Sequence, residues 1–246
     1  MQGLITIDFG NTNPHAGLFQ KYQNWQLIKV VPFKELSLYL DQLQMTPDNS
    51  SMVVCEVKAR EEELEPLQHQ GFFLTRVKEY WRGTKFAGMP VHYANTLGED
   101  RLIQAFYAFK KIKENILLID AGTFLTMDVI TTSGFQGGYI IPGIETYLST
   151  FEKGEQLKTI GLDQNITLAL PQTTSEAMRD SYSGFAALAH KLIQEHKVQT
   201  VLITGGKYAL WNKIFDDLAL SVSVQSDPNL IHSSLHFWIT TQIEPL

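Results

Sequence analysis

Two passages of this 246-residue chain carry an apolar run into an aspartate and then a glycine turn: LITIDFGNT (Leu4 to Thr12) and LLIDAGT (Leu117 to Thr123). Each reads as a strand ending at Asp8 or Asp120, a turn through Gly10 or Gly122, and a closing Thr12 or Thr123. Such a turn exposes backbone N–H groups, its glycine lets a phosphate approach the main chain, and its aspartate can hold metal-bound water beside that phosphate. One turn of this kind is also an ordinary hairpin with an Asx-type turn. Two of them, with Asp120 lying 112 positions after Asp8, predict a phosphate clamp in which duplicated halves face one nucleotide.

Between the two turns, LGEDR (Leu97 to Arg101) puts Gly98, Glu99, Asp100 and Arg101 at the predicted start of a helix. By itself Asp100 suits an N-cap or first-turn acid, because a helix N-terminus favours negative charge. In a cleft, the same carboxylate can accept a proton from a substrate hydroxyl while Arg101 grips an anion through two N–H groups, as positioned phosphoryl transfer requires. GGYIIPG (Gly137 to Gly143) and TGG (Thr204 to Gly206) read as ligand-facing turns that open helices. Equally, they suit a strand ending in Pro before a helix and a close-packed strand-helix junction. His190 and His196 lie six apart, off one helical face, and His232 with His236 supplies two side chains where a zinc site needs at least three, so no histidine metal site is expected.

These residues need elements to hold them. After the first turn, AGLFQKY and NWQLIKVV read as strands and FKELSLYLDQL as a helix; after the second, LTMDVITT and FQGGYIIPG are strands and IETYLSTFEK a helix. The first half continues with strand SMVVCEV, helix AREEELEPLQHQ, short strand FFLTRV and a helix from Glu99 through RLIQAFYAFKKIK. The second half continues with one long helix, SEAMRDSYSGFAALAHKLIQEHK, then strand VQTVLIT and a further helix. Three strands followed by alternating helices and strands, twice over, predict an α/β fold of two mixed-sheet halves, 1–115 and 116–246, with an intervening cleft.

Composition narrows the partners. Twenty Lys+Arg against 26 Asp+Glu leave a net charge of −6, which repels nucleic acid and anionic membranes. The single Cys55 cannot form an internal disulfide, the N-terminal stretch has no signal-peptide pattern, and no run of about 18 apolar residues occurs. A cytoplasmic protein is expected.

Taken together, IDFGNT with Gly17 after it, LGEDR, IDAGTFLTMDVI, GGYIIPGIETYL and ITGG resemble the type III pantothenate kinases, a family that includes Bvg accessory factor homologues. That resemblance implies duplicated ribonuclease-H-like halves of the actin, sugar kinase and acetate kinase superfamily. It also implies ATP-dependent phosphorylation of pantothenate to 4′-phosphopantothenate, the first step of coenzyme A synthesis, with Mg2+. Asp8, Phe9, Gly10, Asn11, Thr12, Asn13, Pro14 and His15 would form the first ATP phosphate loop, with Thr123, Gly205 and Gly206 also contacting ATP. Asp100 would be the proton acceptor, and Gly98, Glu99, Asp100, Arg101 and Tyr93 would line the pantothenate site. Asp120 would hold a monovalent cation, K+ or NH4+. Thr174 would reach a pantothenate site across a homodimer interface, for which the apolar face of Ala177, Phe185, Leu188, Ala189, Leu192 and Ile193 offers more surface than one half obviously needs. Ser181 and Lys207 differ from the glycine and the acid usual in the family, and the segment from Tyr93 to Gly98 is short and lacks the usual proline. The alternative readings are a nucleotide-binding regulatory protein with little turnover and a kinase for another small hydroxyl compound.

Overall fold

The computed structural model describes residues 2–10, 12–57, 60–154 and 166–242. Its first repeat runs β1 (Gln2–Phe9), β2 (His15–Lys21), β3 (Trp25–Pro32), α1 (Leu36–Gln42), β4 (Ser50–Glu56), α2 (Glu61–His69) and β5 (Leu74–Arg76). Three short strands follow, β6 (Trp81–Arg82), β7 (Lys85–Phe86) and β8 (Met89–Pro90), and then α3 (Glu99–Lys111). The second repeat runs β9 (Ile116–Ala121), β10 (Phe124–Thr131), β11 (Gly134–Pro142), α4 (Ile144–Ser149), α5 (Thr174–Asp180) and α6 (Phe185–Glu195). It closes with β12 (Thr200–Thr204), α7 (Tyr208–Leu218), β13 (Ser223–Ser226) and α8 (Leu230–Gln242).

The two large sheets have the same order, β3-β2-β1-β4-β5 and β11-β10-β9-β12-β13, each antiparallel on one side of its central strand and parallel on the other. The expected duplication is therefore real at the level of topology. Asp8 in β1 stands opposite Cys55 in β4, and Asp120 in β9 stands opposite Thr204 in β12. Both aspartates thus occupy the carboxyl end of a central strand beside a parallel neighbour, where open α/β sheets present their binding loops.

Packing follows the pleat. Ile5, Ile7 and Phe9 of β1 meet Leu18 of β2, Val54 of β4, and the apolar sides of α1 and α2, while Leu4, Thr6 and Asp8 point to the opposite face. The second repeat is built alike: Leu117, Ile119 and Ala121 of β9 join Val201 and Ile203 of β12 in a core covered by α6 and α7. In α6, Ala189, Leu192 and Ile193 are buried in that core, and Phe185 and Leu188 pack against it. The apolar face expected to meet a second copy is thus covered within its own unit, and Ala177 is exposed.

The long helix expected from Ser175 to Lys197 is two helices, α5 and α6, joined by a 3-10 turn over Ser181–Gly184. Two serines and a glycine there have weak helix propensity, and the Ser181 hydroxyl donates to the Ala177 carbonyl. By compactness the chain divides into Met1–Tyr107 with Asn229–Leu246, and Ala108–Pro228. Helix α8 closes the second repeat in chain order yet groups with the first unit, so the division at 115 follows the repeat rather than the packing.

Candidate active site

The first turn leaves β1 with Asp8 almost buried, whereas Thr12 and Asn13 are exposed. Gly10 lies beside the Asp8 carboxylate, where a Cβ would stand 3.4 Å from Oδ2, an ordinary contact. Phe9 is fully buried and packs edge-on against Phe33 at 4.7 Å, so it can serve the loop through its main chain only. Pro14 anchors the far end of the loop, its carbonyl accepting from the Phe33 N–H at 2.9 Å. His15 Nε2 lies 3.6 Å from Asp8 Oδ2. Asn11 lies outside the described residues.

In the same unit, the carboxylates of Asp8, Asp100, Glu99 and Glu56 lie close enough to Cys55 to push its thiol up, after burial, which is the larger cause. Glu56, at the end of β4, is held by Arg76 at 3.0 Å and Lys78 at 2.9 Å, and its N–H donates to Glu99 Oε2 at 3.2 Å. That bond ties the first turn of α3 to the sheet. Glu99 is buried, and burial, the largest cause, pushes its carboxyl up to about 7 against the pull of the Glu56 N–H; the Glu56 charge raises it further and Lys78 opposes. Asp100 is also held above the usual carboxylate range by burial, against the Arg101 N–H and guanidinium. Gly98 leaves room for it, since a Cβ at that position would collide with Asp100 Oδ1. Arg101 is buried with its guanidinium 5.4 Å from the exposed Tyr93 ring, which holds its charge in a defined place. The structure thus brings Tyr93, Gly98, Glu99, Asp100 and Arg101 together.

Glu99 carries a pH consequence. Between the ordinary glutamate value and about 7, the folded chain holds a proton that the unfolded chain releases, so stability falls as pH rises through that window. Glu99→Gln is expected to remove the fall and to stabilise the protein at pH 8 by up to roughly 3 kcal/mol, less the weakened bond to Glu56. Thermal melts of both proteins at pH 5 and pH 8 check this; an equal pH dependence in the two would contradict it.

In the second unit, two motifs far apart in sequence close on the Asp120 turn. Gly143 donates its N–H to the Thr123 carbonyl at 2.9 Å, and Thr146 Oγ1 donates to the same carbonyl at 3.1 Å. Gly205, at φ +86°, lies so close that a Cβ would stand 2.5 Å from Asp120 Oδ1 and 2.7 Å from the Ala121 carbonyl carbon. The Lys207 N–H reaches the Ala121 carbonyl at 2.9 Å. Asp120 is half-buried, Thr123 is exposed at the tip, and Gly206 is exposed with open space beside it. Thr174 is exposed in the first turn of α5, whose cap is Thr173 in a reciprocal pair with Glu176.

Of the two readings of GGYIIPG, the strand ending in Pro before a helix is the one found: β11 ends at Pro142 and Gly143 caps α4. Gly137 and Gly138 lie inside β11 next to a bulge, and Gly138 is required because a Cβ would collide with the Met127 carbonyl and Asp128 across the ladder. Gly143 alone of that motif faces the turn. Lys207, which follows TGG, pairs with Glu145 at 2.6 Å. Sequence reasoning also missed His232, whose ring contacts His15; their separation of 217 positions gives no local signal.

Among the described residues no group of three or more His, Cys, Asp or Glu could hold a metal ion. A hard divalent ion at these turns would draw its remaining ligands from phosphate and water, as magnesium ordinarily does. The half-buried Asp120 carboxylate is an oxygen donor of the kind a monovalent cation uses.

Of solved structures, one described as a Baf family transcriptional activator from Campylobacter jejuni has a TM-score of 0.63 at 20% identity over 96% of each chain. One described as a 2-dehydro-3-deoxygalactonokinase protein from Sinorhizobium meliloti has a TM-score of 0.60 at 12% identity, covering 99% of this chain and 100% of its own. The duplicated sheets and paired aspartate turns, with these neighbours, define the fold class of actin-like ATPases and sugar kinases.

Residues 4–196 match the family described as Type III pantothenate kinase, and the chain belongs to that family of phosphotransferases. A type III pantothenate kinase from Syntrophus aciditrophicus is 27% identical over 223 residues, 82% of this chain and 87% of its own length. Another, from Syntrophotalea carbinolica, is 27% identical over 248 residues, 92% and 95% of the two chains.

Proposed function

We propose that this chain transfers the γ-phosphoryl group of ATP to the hydroxyl of pantothenate, giving 4′-phosphopantothenate at the entry to coenzyme A synthesis. Membership of the family supports the activity, and the observation that carries the residue assignment is the buried Asp100 beside Arg101 at the start of α3. Asp100 takes the hydroxyl proton, and its raised pKa makes it a better base than an exposed aspartate. Arg101 and Tyr93 hold the anionic end of pantothenate, and Gly98 and Glu99 shape its pocket. The Asp8 turn through His15 and Thr123 with Gly205 and Gly206 bind the ATP phosphates. Magnesium carried by ATP would supply neutralisation of phosphate charge, and Asp8 is the residue of this turn that would help hold it. Because phosphoryl transfer passes through a loose transition state, most of the rate comes from this alignment.

A monovalent cation, K+ or NH4+, binds at Asp120 in this reading. Replacing potassium by sodium at equal ionic strength is expected to lower the rate; equal rates would remove the cation from Asp120. The protein acts as a cytoplasmic homodimer on a small-molecule partner, with neither nucleic acid nor membrane as ligand. The net charge of −6 disfavours nucleic acid and anionic membranes as ligands, and no helix among the described residues is long and apolar enough to cross a membrane. Thr174, exposed on α5, is the residue that reaches the neighbouring site, and light scattering that finds only monomer in a fully active sample would defeat that role. Titration with ATP alone separates this reading from the regulatory one, which requires binding without turnover on pantothenate. Turnover confined to another hydroxyl compound would instead support the third reading.

A further inference from the structure

Helix α8 inserts His232, 1% exposed, against the polar side of β1. Its Nδ1 lies 2.8 Å from Thr6 Oγ1, and its Nε2 lies 3.0 Å from His15 Nδ1. The other edge of the His15 ring then faces Asp8, with Nε2 3.6 Å from Oδ2. Gly17 makes the space, since a Cβ there would stand 2.7 Å from both His232 Cγ and Thr6 Oγ1. A line of polar groups therefore joins the last helix to the first glycine turn, and all of it lies within one compact unit.

The line admits two proton polarities, and Asp8 decides between them. If His232 donated from Nδ1 to Thr6, neutral His15 would donate from Nδ1 and turn a bare nitrogen toward a carboxylate, which is repulsive. In the opposite sense, Thr6 O–H donates to His232 Nδ1, His232 Nε2–H donates to His15 Nδ1, and His15 Nε2–H is aimed at Asp8. The Thr6 hydroxyl also donates toward the Gly17 carbonyl at 3.2 Å, so in this sense its single proton is shared between that carbonyl and the nearer His232 Nδ1. Burial, and after it the neighbouring His15, push His232 down to about 3, so it stays a neutral relay member.

We propose that His232 is a positioning residue: from α8 it holds His15 with Nε2–H directed at Asp8, so that the Asp8 carboxylate is set in place before ATP arrives. The consequence for ATP rests on the phosphate-loop reading of the Asp8 turn above; the tether itself does not. Two readouts separate them. In 15N-histidine-labelled protein without nucleotide, both rings are expected in the Nε2–H tautomer, and His232→Phe, which keeps the ring and removes its nitrogens, is expected to return His15 to a tautomer mixture.

In steady-state assays the same variant is expected to raise KM for ATP about tenfold, with KM for pantothenate unchanged, and His232→Gln, whose amide can donate to His15, to recover most of the loss. His15→Leu is expected to match His232→Phe, and the double variant to add nothing further. Unchanged His15 nitrogen shifts in His232→Phe overturn the tether. Should His232→Phe not fold, a wild-type KM for ATP in His15→Leu overturns the positioning role. Full additivity of the two variants does the same. A wild-type protein with no ATP turnover on any acceptor counts against the kinase reading instead, and the nitrogen shifts still decide the tether.

Discussion

Asp100→Asn is expected to cut pantothenate phosphorylation by about 100- to 10,000-fold while ATP binding stays close to that of the parent. The amide keeps the shape of the carboxylate and an oxygen for the Arg101 N–H, so the start of α3 is preserved, but it cannot take a proton. Burial holds the parent carboxyl above its ordinary value, and the base must be deprotonated to act. The parent rate should therefore fall with acid at a higher pH than an exposed aspartate would produce, and this acid limb should be absent from the residual rate of the variant. Rate against pH for both proteins, with nucleotide titrations alongside, checks the prediction. Near-normal turnover in a folded Asp100→Asn protein would remove Asp100 from the chemistry, and equal loss of ATP binding would point to a damaged fold.

Gly205→Ala is expected to disrupt the Asp120 turn. Gly205 sits at φ +86°, where side chains are strained, and its new Cβ would stand 2.5 Å from Asp120 Oδ1 and 2.7 to 2.8 Å from Ala121 backbone atoms. A flexible side-chain tip could yield, but the end of a central strand cannot. A loss of about 1 to 3 kcal/mol of stability is expected, together with at least about a tenfold weaker response to ATP, because the atoms displaced belong to the Asp120 turn. Thermal melts with and without ATP and magnesium separate the two effects. Gly206→Ala is the control: Gly206 has open space beside it, so a Cβ meets nothing within 4 Å. Equal behaviour of the two variants would contradict the account of the turn.

The sequence made the repeated core legible because strands buried on both faces, followed by Asp-Gly turns, leave a pattern that survives in short windows. β1 and β9 are of this kind. Elements shaped by their surroundings left weaker marks. The short strands β6 to β8 depend on turns at Gly83 and at Ala87 and Gly88, all with positive φ, and their two-residue lengths show no alternation. Helix α8 hides its identity because its buried and half-buried sides are both apolar or weakly polar, as with Trp238 and Phe237. LGEDR is readable as a helix start bearing an acid, but its tie to Glu56 at the end of β4, 43 residues earlier, and the burial of Glu99 and Asp100 are not. The convergence of Gly143 and Gly205 on Asp120 and the approach of His232 to His15 are likewise products of topology. No spacing within one motif could announce them.

The most direct test of the central claim follows phosphorus by 31P NMR in a mixture of the purified protein, ATP, magnesium, potassium and pantothenate. The account predicts that the γ-phosphate signal of ATP declines as ADP and one phosphomonoester signal, that of 4′-phosphopantothenate, rise in equal amounts, and that Asp100→Asn suppresses both. Unchanged ATP under saturating pantothenate, or release of inorganic phosphate with no phosphomonoester, would contradict it.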